Sequence, residues 1–268
     1  MEHGKGRVRF YLVAVALCLV WLLVSPVVSA QEQSVDAVYL LDVTSSMVGV
    51  GIGGKDILNG VLDLLIHDID QFQGGKFILI TFANGPYDLD GRLGPIKATY
   101  KLNIRSKQDK LFLKQFLRPK QYGPFPDDPS WPGVYQAVKR ASHIIGPTGV
   151  YQTILTGLGM LDRLQREFPQ GKQTYAATHA QELFIYTDGR NNTVPSPSFD
   201  EVLKKLKERH FQMLGDFRYK RYLFSGNPSD LQQARRECTT SENQGTAGYI
   251  QNVVAPDLSQ LVILDLDR

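Results

Sequence analysis

"YLLDVTSSM" (residues 39–47) is an apolar run that breaks off in one carboxylate and three hydroxyls. Its apolar part begins further upstream, as "VDAVYLLD" (35–42), and two later runs share the form: "GKFILITFAN" (75–84) and "QELFIYTDG" (181–189). Each is short, rich in branched and aromatic side chains, and closed by polar residues, at Asp42, Asn84 and Asp188. A strand with one wet face alternates; a strand covered on both faces does not. These runs therefore read as strands of a parallel sheet between helices.

The segments between them complete the pattern. In "DILNGVLDLLIHDIDQF" (56–72), Ile57, Val61, Leu64, Leu65 and Ile69 mark one helical face, and Gly74-Gly75 stops the helix. "KATYKLNI" (97–104) alternates, as a half-exposed strand does. "SKQDKLFLKQFL" (106–117), "VYQAVKRASHII" (134–145), "ILTGLGMLDRLQREF" (154–168) and "SFDEVLKKLKERH" (198–210, Ser198 as N-cap) read as helices. "RYLFSG" (221–226) is a fourth core strand, "PSDLQQARREC" (228–238) a helix and "GYIQNVV" (248–254) an edge strand. Strands alternating with helices predict an α/β fold with a doubly wound, mostly parallel sheet. No repeat or linker divides residues 34–268, which read as one domain with its core over about 35–226 and an extension over 227–268.

The first thirty residues differ. A basic "MEHGKGRVR", an uncharged "FYLVAVALCLVWLLV" and a small-residue "SPVVSA" form the three parts of a secretory signal peptide, cut after Ala30. An uncleaved anchor is the alternative; the apolar run is short for a full span and Pro26 interrupts it. The expectation is an exported protein, periplasmic or extracellular, off the membrane once the segment is removed. Removal takes away Lys5, Arg7, Arg9 and Glu2 and leaves 27 Lys+Arg against 26 Asp+Glu. A balance so close to neutral carries no electrostatic footprint for nucleic acid. Cys238 is then the only cysteine, a small partly buried residue or a thiol for another chain.

In an open parallel sheet, ligands gather at the carboxyl ends of the strands. Asp42, Thr44 and Ser46 end the first strand at spacing i, i+2, i+4, which in extended backbone turns all three to one side. One carboxylate and two hydroxyls are hard oxygen donors of the kind Mg²⁺ or Mn²⁺ prefers. Asp188 ends another core strand, with Gly189 permitting a sharp turn, and Thr153 stands just ahead of a helix. With "DVTSS", "TILTGL" and "IYTDGRNN" in this order, the chain resembles a von Willebrand factor type A domain, the fold shared with integrin inserted domains. The resemblance runs from about Val35 to about Gly226.

That resemblance implies a metal-ion-dependent adhesion site: Asp42, Thr44 and Ser46 in its Asp-x-Ser-x-Ser element (Thr44 replacing the first Ser), Thr153 in its Thr role and Asp188 in its Asp role. Thr156 is the lesser candidate for the Thr role. It implies a bound Mg²⁺, or Mn²⁺ or Ca²⁺, an open position filled by a carboxylate of a protein partner, and binding rather than catalysis. The histidines at 67, 143, 179 and 210 show no metal-ligand spacing and read as surface or packing residues.

A second reading is an enzyme on the same fold: a metal-assisted hydrolase or a degenerate nucleotide binder. It rests on "GVGIGGKD" (49–56), a near-match to G-x-x-x-x-G-K-[ST], and on Asp42 as a nucleophile. Asp56 stands where the motif needs a hydroxyl, and its charge would repel phosphate. The alternative is a flexible loop rimming the metal site. The loop 118–133 offers Tyr122, Phe125 and Trp131, residue types that anchor partners, or aromatics that pack the loop onto its own domain.

Overall fold

The structure, a computed structural model, describes residues 33–50, 56–83, 85–86, 99–103, 106–140, 148–189, 192, 196–225, 227–246 and 248–254. The signal segment, most of the Gly-rich run 49–56 and His143 lie outside the described residues.

Five strands run parallel in the order β2 (Lys76–Ala83), β1 (Ser34–Asp42), β5 (His179–Thr187), β6 (Phe217–Leu223) and β7 (Ile250–Val254). Two short strands, β3 (Gly85–Pro86) and β4 (Thr99–Asn103), pair antiparallel with β2 at one edge. The doubly wound α/β class follows from this order, and β4 is a strand within "KATYKLNI", as the alternation predicts. The sheet reaches further along the chain than the 35–226 core, because β7, within 227–268, is its other edge.

Parity along the strands assigns the two faces. Tyr39, Leu41, Phe77, Leu79, Phe184, Tyr186 and Tyr222 belong to one buried cluster; Val38, Leu40, Ile78, Ile80, Leu183, Ile185 and Tyr219 belong to the other. The first cluster takes in helices α1 (Leu58–Gln71), α2 (Lys107–Leu117) and α4 (Val134–Arg140). The second takes in α5 (Val150–Arg166), α6 (Lys172–Thr178) and α7 (Phe199–Gln212). Burying apolar surface on both sides is what removes alternation from these strands. Among the described residues, no helix is long and apolar enough to cross a membrane.

Local chemistry sets the element ends. Ser106 accepts from the N–H groups of Gln108 and Asp109, capping α2, and Ser198 accepts from Glu201 N–H, capping α7 as expected. Gly74-Gly75 does end the path from α1, because the chain passes too close to β1 for side chains: a Cβ on Gly74 would stand 2.1 Å from the Val35 carbonyl oxygen. α5 descends onto β1 and β5 at Gly157, where a Cβ would meet Leu183 Cδ1 at 2.8 Å.

Two expectations need revision. α5 begins at Val150, four residues before the periodic stretch at 154–168, because Val150 and Tyr151 extend its buried stripe upstream of Ile154. Within the loop 118–133, Pro119–Tyr122 forms one helical turn, α3, with proline at the position where a missing N–H costs nothing.

Candidate metal centre

From β1 the chain runs to β2 on one side, while β5, β6 and β7 build outward on the other. The winding therefore reverses between β1 and β5, and the carboxyl ends of those two strands flank the crevice where doubly wound folds bind ligands. Asp42 ends β1; Thr187 ends β5, with Asp188 next to it.

The side chains meet there. Asp42 is fully buried. Its Oδ1 accepts from Thr44 N–H at 2.9 Å and from Thr44 Oγ1 at 2.6 Å, and its Oδ2 accepts from Thr187 Oγ1 at 2.6 Å. Thr44 Oγ1 lies 2.9 Å from Ser46 Oγ, which lies 3.0 Å from Asp188 Oδ1. Asp42, Thr44, Ser46 and Asp188 thus form one continuous chain of oxygens. The backbone path differs from the extended one expected: after Thr44 the chain tightens into a 3-10 turn, Ser45–Met47. That turn swings Ser46 back over Thr44, so the oxygens converge by curling rather than by strand alternation. Ser45 is buried in the turn, outside this hydrogen-bonded chain.

Hydroxyl protons do not suffice for this arrangement when both carboxylates are ionised. Three contacts link the four side chains, Asp42–Thr44, Thr44–Ser46 and Ser46–Asp188. Thr44 and Ser46 supply one proton each. One contact is therefore an oxygen pair with no hydrogen between, which needs either a proton on a carboxyl group or a cation. The electrostatics agree. Burial pushes the Asp42 carboxyl above its ordinary range, against the hydrogen bonds from Thr187 and Thr44. Burial, then the charge of Asp42, pushes Asp188 up to about 7.

Thr153 is bonded within its own helix. It sits inside the first turns of α5, fully buried, and its Oγ1 donates to the carbonyl of Gly149 in its own helix at 2.7 Å. The threonine that stands before the helix is Thr148. Its N–H donates to Asn192 Oδ1 and its carbonyl accepts from Asn192 N–H at 3.1 Å. The next residue, Gly149, donates to the Ala83 carbonyl at the end of β2. Thr148 Oγ1 is so near Gly189 that a Cβ on that glycine would meet it at 3.4 Å. Thr148 and Thr187 are thus residues of the centre that sequence reasoning missed. The signal for Thr148 was its place directly ahead of Gly149; Thr187 had none, being one polar residue in an apolar strand.

Donor chemistry fits a hard divalent cation: two carboxylates and neighbouring hydroxyls, all oxygen. Among the described residues, no group of three or more His, Cys, Asp or Glu side chains is placed to hold a metal, so any ion here would draw the rest of its shell from hydroxyls, backbone carbonyls or water.

The other sequence candidates fall away from this centre. Phe125 and Trp131 are buried: Trp131 stacks on Phe116 at 5.7 Å and donates from Nε1 to the Phe116 carbonyl, and Phe125 packs on Phe112 and Phe116. Tyr122 is half-buried beneath Lys114. These aromatics pin the loop to its own domain. Asp56, at the Ser/Thr position of the phosphate-loop pattern, bridges back to Val48 and accepts from Tyr135 OH at 2.6 Å. His179 stacks on Tyr175 and His210 on Tyr249, as packing residues do. Cys238 is half-buried on α8 (Pro228–Asn243).

No family model matches the chain, and no curated protein does. Solved structures match it distantly. A point mutant of the PilB minor pilin from Streptococcus sanguinis gives a TM-score of 0.49 at 10% identity over 91% of this chain and 62% of that one. The pilus adhesin SpaC from Lactobacillus rhamnosus GG gives 0.46 at 11% identity over 87% of this chain and 30% of that one. Proximal thread matrix protein 1 from the mussel byssus gives 0.44 at 14% identity over 88% and 48%. The chain spans less than two thirds of the length of each of these proteins. Likeness at this level carries no argument about function.

Proposed function

We propose that this chain is an exported binding module of the von Willebrand factor type A kind. In this reading Asp42, Thr44, Ser46 and Asp188 hold a divalent cation, Mg²⁺ or a similar ion, at the crevice between β1 and β5. The observation that carries it is the run of four side-chain oxygens one proton short, with two carboxylates drawn together at a buried strand edge. A bound cation supplies positive charge between the two carboxylates and an open position for an outside oxygen. Asp42, pinned by three donors, fixes the floor of the site. Ser46 and Asp188, both partly exposed, form its rim, where a carboxylate of a protein partner would enter. Thr148 flanks the Asp188–Gly189 turn and takes the place the resemblance gave Thr153. In this reading the site recognises a partner rather than catalysing a reaction. Export rests on the signal-like first thirty residues.

Calorimetric titration of residues 31–268 with Mn²⁺ and Mg²⁺ tests this, beside Asp42→Ala and Asp188→Ala. Saturable binding to the wild type, lost in both variants, is expected. Equal binding in all three proteins, or none in any, refutes the reading.

A further inference from the structure

Arg221 lies on the same face of the sheet as Asp42 and Thr187, and it is among the largest fully buried side chains of the protein, 1% exposed. Its guanidinium bridges two groups. One terminal nitrogen donates to Glu237 Oε2 at 2.7 Å; the other donates to the carbonyl of Gly189 at 3.1 Å. The Nε finds no hydrogen-bond partner among the described residues. A guanidinium arranged only to pair with a carboxylate would turn two donors on it. This one leaves a buried N–H unpaired and spans from α8 to the residue after Asp188. Glu237 does not depend on Arg221 alone, because Tyr151 OH and Gln233 Nε2 also donate to it. Burying an ion pair is poor value for stability, since removing the charges from water offsets most of their attraction.

Gly189 is held through both of its backbone polar groups: its N–H donates to Thr187 Oγ1 at 3.1 Å and its carbonyl accepts from Arg221. Thr187 in turn donates to Asp42. We propose that Arg221 is a positioning residue for the cation site, fixing the Asp188–Gly189 turn through the Gly189 carbonyl so that Asp188 faces Ser46. This rests on the cation reading above. The planar fork of arginine reaches both groups at once; the single ammonium of lysine does not.

The test is Mn²⁺ titration of wild type, Arg221→Lys and the double variant Arg221→Met/Glu237→Gln, with thermal midpoints measured alongside. The double variant removes both charges of the Arg221–Glu237 pair together and keeps an acceptor for Tyr151 OH, so it guards against failure to fold. Titrations run well below each midpoint report the folded molecule's affinity, which a purely structural loss does not move. Both variants are expected to bind Mn²⁺ at least about tenfold more weakly, the scale seen for residues that orient metal ligands. If the wild type binds and the double variant binds equally well, Arg221 has no such role. If Arg221→Lys matches the wild type, its charge and not its geometry matters, and positioning is overturned. If the wild type itself binds no Mn²⁺, the cation reading falls and this role with it.

Discussion

Raising the pH should destabilise the metal-free protein, which is the reverse of what most carboxylates do. Asp188 is held at about 7 in the folded state, against an ordinary value of 3.8, first by burial and then by the Asp42 charge beside it. Between those two values the folded chain binds a proton that the unfolded chain has released. Stability from this group is fully present below about 4 and is lost as pH rises through about 7. Each unit of displacement corresponds to about 1.4 kcal/mol, so the group alone sets a ceiling of about 4 kcal/mol between those limits. Asp42 is displaced in the same direction and adds to the fall. Urea denaturation in EDTA at steps from about pH 4 to about pH 8 measures it, and a loss of about 4 kcal/mol is expected from this group. Mn²⁺ at about 100 times its dissociation constant should restore about 2.7 kcal/mol at the alkaline end, where both carboxylates are free to ionise. Asp188→Asn, which cannot titrate, should flatten much of the profile. A flat profile in the metal-free wild type, or the same fall in Asp188→Asn, would refute the proton count that motivates the cation.

Four further outcomes probe separate links. Thr187→Val keeps the volume of a fully buried side chain but strips a donor from the buried Asp42 carboxylate; a loss of about 1–3 kcal/mol is expected by chemical denaturation near neutral pH. Thr148→Val should weaken Mn²⁺ binding in a titration, whereas Thr153→Val, whose hydroxyl serves its own helix, should leave affinity unchanged. Gly157→Ala places a methyl 2.8 Å from Leu183 Cδ1 and should lower the thermal midpoint, through about 1–3 kcal/mol of overpacking. Trp131→Phe should cost about 1 kcal/mol or more for the lost bond to the Phe116 carbonyl while leaving partner and metal binding untouched, since that ring is buried.

Fold class was legible because burial on two faces writes itself into composition: "VDAVYLLD" and "QELFIYTDG" lack alternation, and both lie at the centre of the sheet. Of the site, Asp42, Thr44, Ser46 and Asp188 were legible from their places at strand ends, and the structure joins all four. Thr153 was read ahead of the helix because apolar periodicity marks a helix by its buried stripe and says little about where it begins. Val150 and Tyr151 start that stripe early, and a start displaced by four residues puts a threonine inside the helix instead of ahead of it. Arg221 and Thr187 were invisible for a different reason. Each is one polar residue in a core strand, and its role arises only when β6 and β5 lie beside β1, a tertiary fact with no local signature.

The two carboxylates of the centre are not equivalent, and the topology explains why. Asp42 lies on the inner strand β1, flanked by β2 and β5, where no water reaches it. A carboxylate in that position is tolerable only if donors satisfy it, and the neighbouring strand end and the following turn provide them: Thr187 on one oxygen, Thr44 twice on the other. Asp188 stands one residue beyond β5, at the partly exposed rim, with Ser46 as its side-chain donor. The inner carboxylate is therefore committed to holding the architecture together, while the outer one keeps lone pairs to spare. The winding reverses between β1 and β5, so both carboxylates stand at the crevice where such sheets take ligands. Under the proposed reading, a cation there would meet a fixed floor and a rim carboxylate with room to accept it.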